Sequence, residues 1–156
     1  MIDGVKIFPL SVIPDSRGAI FHFMKKELPI FKEFDLQEVY FSLIYPGVIK
    51  GWHRHTTMTL NYVVPVGHIK LVLFDDRKFS PSMYELQEIY IGTTCYKIVQ
   101  IPPMVWNGFV AVGGQLALVA NATNLVHDPK EIERMAPKDF INSSGFDYDW
   151  FASNQG

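Results

Sequence analysis

Apolar residues in this chain fall in short runs rather than at helical spacing. The runs are rich in Val, Ile, Tyr and Phe, and each ends at a Gly, a Pro or a polar cluster. They span residues 39–45, 60–66, 68–74, 84–91, 96–102, 108–112 and 115–123. Many short strands punctuated by turn residues predict an all-β protein, built as a sandwich or a barrel.

Two segments outside these runs predict short helical pieces. Residues 28–34 follow a charged stretch. Residues 128–140 begin with Asp128, a favourable N-cap, and Pro129, which suits the first helical position. We therefore expect a single β-rich domain over residues 1–156 with two short helical segments.

Composition narrows the class of protein. A chain of 156 residues is long enough to bury the core of one domain, and its net charge of −2 does not favour nucleic acid or an anionic membrane as partner. Cys95 is the single cysteine, which excludes an intrachain disulfide and a multi-cysteine zinc site. The N-terminus lacks a signal-peptide pattern and no apolar stretch would span a bilayer, so we expect a cytoplasmic location.

The stretch KGWHRHT, residues 50–56, carries the clearest candidate chemistry. His53 and His55 are one residue apart, and alternate side chains of a strand share a face. Such a pair can be half of a metal site, or a base with a polar neighbour.

The spacing around the two histidines is similar to the first motif of the cupin superfamily. Gly47 and Gly67 match its flanking glycines, but Leu60 stands where the motif has a glutamate, and Asn107 stands where the second motif has a histidine. Leucine cannot coordinate a metal and an amide is a poor replacement for imidazole. We therefore predict a cupin-type jelly-roll β-barrel with short helical segments, no metal and no cofactor.

Four landmarks in register resemble one metal-free cupin family, the dTDP-4-dehydrorhamnose 3,5-epimerases. They are DSRGAIF (15–21), GVIKGWH (47–53), FDDRKFSPS (74–82) and IPPMVWNGF (101–109). The resemblance covers about residues 5–140. The resemblance implies that the substrate is a nucleotide sugar and that the protein is a homodimer whose subunits exchange N-terminal strands. It also implies that the sugar product is used for surface polysaccharide.

The resemblance also implies the chemistry of the site. A base removes the acidic proton next to the ketone of a 4-keto sugar, an enolate forms, and an acid returns a proton to the opposite face. An imidazole suits this task because its free pKa lies near neutrality. The base falls on His53, and the carboxylate that orients it falls on Asp139, with Asp75 or Asp76 as alternatives.

Four further positions are expected to bind substrate. Arg17 and Lys50 would hold the diphosphate, and Asn107 and His127 would contact the sugar nucleotide. Arg77 is instead interpreted as half of a structural ion pair.

Two departures from the family affect the expected product. A family lysine near the ketone falls at Leu60, and a family tyrosine on the opposite sugar face falls at Ala120. His55 is expected to supply the missing polarity near the carbonyl. With fewer acid and base groups, a single inversion at C3 is favoured over two.

Two other functions stay open from the sequence. The paired histidines are also typical of nucleotide-sugar 3,4-ketoisomerases. The substitutions at Leu60, Asn107 and Ala120 would suit a catalytically inactive cupin that binds sugar nucleotides.

Overall fold

The computed structural model describes residues 1–140 and 147–152, which form two facing five-stranded antiparallel sheets. No helix in this described part is long and apolar enough to cross a membrane. The strands are β1 (Lys6–Pro9), β2 (Val12–Asp15), β3 (Gly18–Phe21), β4 (Glu38–Ile44), β5 (Ile49–His55), β6 (Leu60–Val66), β7 (His68–Phe74), β8 (Leu86–Gly92), β9 (Lys97–Ile101), β10 (Trp106–Val112), β11 (Ala117–Thr123) and β12 (Ile132–Arg134).

The first sheet has the order β1-β9-β6-β11-β4 and the second has the order β12-β5-β10-β7-β8, while β2 and β3 form a separate hairpin. The main core lies between the two sheets, where residues such as Leu71, Val64 and Val99 are fully buried. Gly67 carries the chain from one sheet to the other at φ 72°, and a Cβ there would lie 2.3 Å from the Leu116 carbonyl oxygen. The predicted all-β, cupin-type architecture is confirmed.

Aromatic residues cover the outer face of the second sheet. The Trp52 ring stacks on Phe140 at 4.1 Å between centroids and meets Trp150 at 4.7 Å. Trp150 can approach because the strands behind it carry glycine: a Cβ on Gly108 would lie 2.6 Å from the Trp150 ring. The Trp52 ring is therefore buried among these aromatic side chains, at 1% exposure, and is not available to stack on a ligand.

The segment 128–140 contains short helical turns, as expected, but not a continuous helix. Two 3-10 turns, Pro129–Glu131 and Pro137–Asp139, flank the strand β12. Asp128 caps the first turn by accepting from the Lys130 amide at 2.9 Å. Pairing with β5 satisfies the backbone of β12, so the tertiary contact prevails over local helical preference. The other segment, 28–34, contains one 3-10 turn, Pro29–Phe31.

The motif at residues 74–82 builds a structural network. The fully buried carboxylate of Asp75 accepts from Arg77 at 2.8 Å and from Ser80 and Ser82 at 2.6 and 2.7 Å. Burial alone would raise the pKa of Asp75, but these donors hold it well below its usual range. Asp76 instead binds Arg54. Neither aspartate is therefore an orienting partner of His53, and the interpretation of Arg77 as half of a structural ion pair is confirmed.

Candidate functional site

A cavity of about 750 Å³ opens between the two sheets. One wall comes from β4, β6 and β11 of the first sheet, and the other from β5, β10 and β12 of the second. Its volume lies in the range typical of small-molecule sites.

Strand β5 places three polar side chains in the cavity wall. His53 and His55 both line it, as strand alternation predicts, with ring centroids 5.9 Å apart. Lys50 joins them although simple alternation would put it on the other face. The pairing of β10 with β5 slips here, since Asn107 opposes His53 while Phe109 opposes Lys50. This bulge places an extra residue in β5 and brings Lys50 to the cavity side.

His53 is tied to two buried polar groups. Its Nε2 lies 3.3 Å from the Tyr62 hydroxyl, and that hydroxyl donates to Asn107 Oδ1 at 3.4 Å. Asn107 Nδ2 also donates to the His53 carbonyl at 3.0 Å. Burial, followed by His55 and Arg134, lowers the pKa of His53 to about 3. The imidazole of His53 is therefore neutral at pH 7 and has a lone pair available.

His55 forms a buried pair with Glu131. Its Nδ1 lies 2.5 Å from Glu131 Oε2, and the two side chains are 4% and 11% exposed. Burial would raise the pKa of Glu131, but the Thr57 amide, His55 and the Met58 amide together lower it to about 2. An ionised carboxylate only accepts hydrogen bonds, so Nδ1 of His55 must carry a proton, and Nε2 is the nitrogen left for a ligand.

The opposite wall carries polar groups on the inner face of β4. Tyr40 and Ser42 line the cavity with their neighbour Asn121 on β11, whose Nδ2 donates to the Tyr40 hydroxyl at 2.8 Å. Lys50 Nζ reaches across from β5 to donate to Ser42 Oγ at 2.7 Å. A ligand in the cavity would thus meet hydroxyls on one side and imidazoles on the other.

The expected substrate-binding residues are not all in the wall. Lys50 and His127 line the cavity, but Asn107 is 1% exposed and acts on the site through His53 and Tyr62. Arg17 lies on the β2–β3 hairpin, where it pairs with Asp15 at 2.8 Å outside the cavity of its own chain.

Asp139 is not placed beside His53. It ends the 3-10 turn Pro137–Asp139, is exposed, and makes no hydrogen bond to His53 in the described part of the chain. The carboxylate that does pair with a cavity histidine is Glu131, and its partner is His55.

Neither of the two positions where a family group is missing lines the cavity. Leu60 is 1% exposed within the main core. Ala120 packs on the outer side of the first sheet, among Ile30, Phe31 and Tyr96, while its neighbours Val119 and Asn121 face inward. A tyrosine at position 120 would therefore point away from a bound sugar, so the match of Ala120 to a cavity-facing tyrosine is wrong.

The sequence did not identify several polar residues of the cavity wall, among them Tyr40, Ser42, Tyr62, Asn121 and Arg134. It also did not identify Glu131, which is not in the wall but pairs with the cavity residue His55. For Tyr40 a signal existed, because Glu38, Tyr40 and Ser42 put polar groups at every second position of an otherwise apolar strand. For Glu131 none existed, because its role follows from the pairing of β12 with β5.

A metal site requires several ligand side chains close together in space. Within residues 1–140 and 147–152, no three His, Cys, Asp or Glu side chains are grouped so that they could hold a metal ion. Independence from metal stays a prediction.

Comparison with known proteins agrees with this fold. The family model of dTDP-4-dehydrorhamnose 3,5-epimerase matches residues 1–153. The "Probable low-salt glycan biosynthesis epimerase Agl13" of Haloferax volcanii is 35% identical over 134 residues, covering 83% of this chain and 85% of that protein. The spore coat polysaccharide biosynthesis protein SpsL of Bacillus subtilis is 29% identical over 131 residues, covering 84% and 85%.

A solved structure is similarly close. The dTDP sugar isomerase from Desulfovibrio desulfuricans G20 superimposes with a TM-score of 0.86 at 35% identity, covering 98% of this chain and 94% of that one. Because the family model spans nearly the whole sequence, the chain belongs to the dTDP-4-dehydrorhamnose 3,5-epimerase family of sugar-nucleotide epimerases.

Proposed function

We propose that this chain inverts C3 of a nucleoside-diphosphate 4-keto-6-deoxyhexose, using His53 as the base and no metal. The observation that carries the proposal is the neutral imidazole of His53 in the wall of a sugar-sized cavity, with a second imidazole 5.9 Å away. A neutral base beside a polar group suits proton removal next to a ketone.

The environment of His53 is consistent with a base that acts when substrate is bound. A pKa of about 3 makes it a weak base in the empty cavity. A diphosphate anion nearby and the negative charge of the forming enolate would both raise that pKa, which strengthens the base when it is needed.

Two cations in the cavity wall fit a diphosphate. Lys50 and Arg134 both line the cavity, on the second sheet with His53. Ammonium and guanidinium groups are the side chains that bind phosphate oxygens best. The names of the relatives from H. volcanii and B. subtilis tie those proteins to glycan biosynthesis. A role in making a sugar for a surface polysaccharide follows by analogy.

A homodimer would bring Arg17 to a cavity. The β2–β3 hairpin that carries Arg17 stands apart from both sheets. Ile13 and Ile20 on this hairpin are 50% and 59% exposed. The outer face of β4 is also apolar, with Phe41 64% exposed at the open edge of the first sheet. Such surfaces and edges are normally covered by a partner. A second copy of the chain would cover them and place its Arg17 against the cavity of the first.

Complementation between variants tests this arrangement. Arg17→Ala should weaken nucleotide-sugar binding, and His53→Asn should abolish turnover. If each site takes Arg17 from the partner subunit, a mixed dimer of the two variants contains one intact site. Co-refolding equal amounts should therefore recover about a quarter of the wild-type activity, since half of the dimers are mixed.

The matched control pairs His53→Asn with His55→Ala. Both residues lie on the same strand and serve the same cavity, so no mixed dimer has an intact site and no activity should return. Light scattering that gives a monomer mass at micromolar concentration would contradict the arrangement, as would mixed dimers that stay inactive.

Metal removal tests the metal-independent mechanism. Protein treated with a strong chelator and desalted should keep its full activity, because the proposed steps use only imidazole and hydroxyl groups. Elemental analysis of the active protein should find no stoichiometric metal. Activity that returns only when a divalent metal is added would overturn this part of the proposal.

The product assay tests the function itself. The protein is incubated with dTDP-4-keto-6-deoxyglucose, and separately with its CDP analogue, and the products are identified by NMR. A C3 epimer is the expected product. Inversion at both C3 and C5 would correct the number of carbons, a 3-keto sugar would identify a 3,4-ketoisomerase, and binding without any new sugar would favour an inactive cupin.

A further inference from the structure

A buried network of amides fixes the orientation of the Asn121 side chain. The backbone N–H of Asn61 donates to Asn121 Oδ1 at 2.9 Å, which identifies that atom as the oxygen. The other end of the amide must then be the NH₂ group, and it donates to the Tyr40 hydroxyl at 2.8 Å.

The orientation of Asn121 cannot reverse, because its partner is a backbone N–H that can only donate, and the Asn61 side chain is occupied elsewhere. Asn61 Nδ2 donates to the Ala122 carbonyl at 2.9 Å, and Asn61 Oδ1 accepts from Gln100 Nε2 at 2.9 Å. Asn61 and Asn121 are 0% and 1% exposed and Gln100 is 7% exposed. A flipped Asn121 amide would set NH₂ against the Asn61 N–H and leave a buried donor without an acceptor, which is costly.

The consequence falls on Tyr40. Its hydroxyl oxygen accepts from Asn121, so the hydroxyl hydrogen is left to point elsewhere. In the described part of the chain that hydrogen has no protein acceptor, and Tyr40 lines the cavity. Burial raises the pKa of Tyr40, so the group keeps its proton at neutral pH. Tyr40 is thus held as a proton donor aimed at a ligand.

Tyr40 and His53 belong to opposite walls. Tyr40 lies on β4 of the first sheet and His53 on β5 of the second, with the cavity between them. A sugar ring between the sheets presents one face to each wall. Inversion of a carbon requires that the proton leaves from one face and returns to the other.

We propose that Tyr40 delivers the proton to the sugar face opposite His53, and that Asn121 is the residue that positions its hydroxyl to donate. This inference rests on the proposed epimerase function. The unprotonated ring nitrogen of His53 takes the C3 proton, and the electron pair of the C–H bond moves into the enolate. The enolate collapses to the ketone while C3 takes the proton of the Tyr40 O–H. His53 then loses its proton to solvent and tyrosinate 40 regains one, so the cycle closes.

The test measures product and exchange separately. In Tyr40→Phe the ring stays and only the hydroxyl is lost, so His53 can still remove the C3 proton and return a solvent deuteron to the same face. In D₂O, formation of the C3 epimer should fall by about 10²–10⁴-fold, while deuterium still enters C3 of the unepimerised substrate within about tenfold of the wild-type exchange rate. A merely structural role for Tyr40 would lower both rates together.

A second variant tests the positioning role of Asn121. Asn121→Asp keeps the shape but presents an acceptor to Tyr40, which turns the hydroxyl hydrogen away from the cavity. Asn121→Asp should therefore also form much less C3 epimer while deuterium still enters C3 of the substrate. Tyr90→Phe, a tyrosine that is 45% exposed on β8, is the matched control and should behave as wild type.

Four outcomes are decisive, provided that thermal unfolding shows each variant to be folded. Retained exchange with lost product in both variants supports the proposal. Wild-type epimer formation by Tyr40→Phe overturns it, as does an equal loss of exchange and product. A wild-type protein that neither exchanges nor converts the sugar would instead refute the epimerase function, so the two failures are distinguishable.

Discussion

His53→Asn is expected to lower the rate of product formation by about 10²–10⁴-fold, the usual contribution of a general base. The amide of asparagine is close to imidazole in size and polarity but does not accept a proton at neutral pH. Since Tyr62 and Asn107 remain in place behind residue 53, the cavity should keep its shape. The loss should therefore appear in kcat.

Binding separates a chemical defect from a folding defect. Lys50 and Arg134, the proposed diphosphate cations, make no hydrogen bond to the imidazole of His53 in the described structure. The dissociation constant of dTDP, measured by calorimetry, should thus change little in His53→Asn. His68→Asn is the matched control, because His68 starts β7 and bonds Thr94 outside the cavity. If His53→Asn keeps the wild-type kcat, the base must be sought at His55 or His127.

Glu131→Gln is expected to lower kcat by about 10²–10³-fold, the usual cost of losing one donor to a developing oxyanion. The negative charge of the enolate is balanced if His55 carries protons on both nitrogens, and the carboxylate of Glu131 balances that positive charge in turn. In the variant, the amide oxygen would stay with the backbone amides of Thr57 and Met58 and turn NH₂ toward His55 Nδ1. That contact is unfavourable for a doubly protonated ring.

The control for Glu131→Gln loses the same charge two residues further along the chain, on β12. Glu133→Gln removes the exposed partner of Arg54, a surface contact of 2.6 Å that does not reach the cavity. Surface pairs contribute little, so kcat should stay near the wild-type value. A Glu131→Gln variant with unchanged kcat would show that the Glu131–His55 pair serves the fold alone.

The strands were predictable where both faces of a segment are buried. Residues 60–66 and 68–74 form β6 and β7 as the apolar runs indicate, because continuous burial leaves an uninterrupted apolar sequence. The short strands β1, β2 and β3 were missed, since four residues with mostly exposed side chains give no such run.

The candidate site was predictable only as far as local spacing reaches. His53 and His55 share a wall because strand alternation requires it, and this follows from two residues of sequence. Lys50 faces the same wall through a bulge that depends on the pairing with β10. The Glu131–His55 pair joins residues 76 positions apart, and the Tyr40–Asn121 bond joins residues 81 positions apart. Contacts between residues so far apart in the sequence arise from the register of the sheets. No local pattern in a single sequence encodes that register.

Proton exchange at C3 shows most directly whether His53 is the base. The sugar nucleotide is incubated in D₂O with wild type and with His53→Asn, and deuterium at C3 is followed by NMR. We expect rapid deuterium uptake at C3 with wild-type protein and a rate at least about 100-fold lower with the variant. Exchange at the wild-type rate in His53→Asn would contradict the role of His53 as the base.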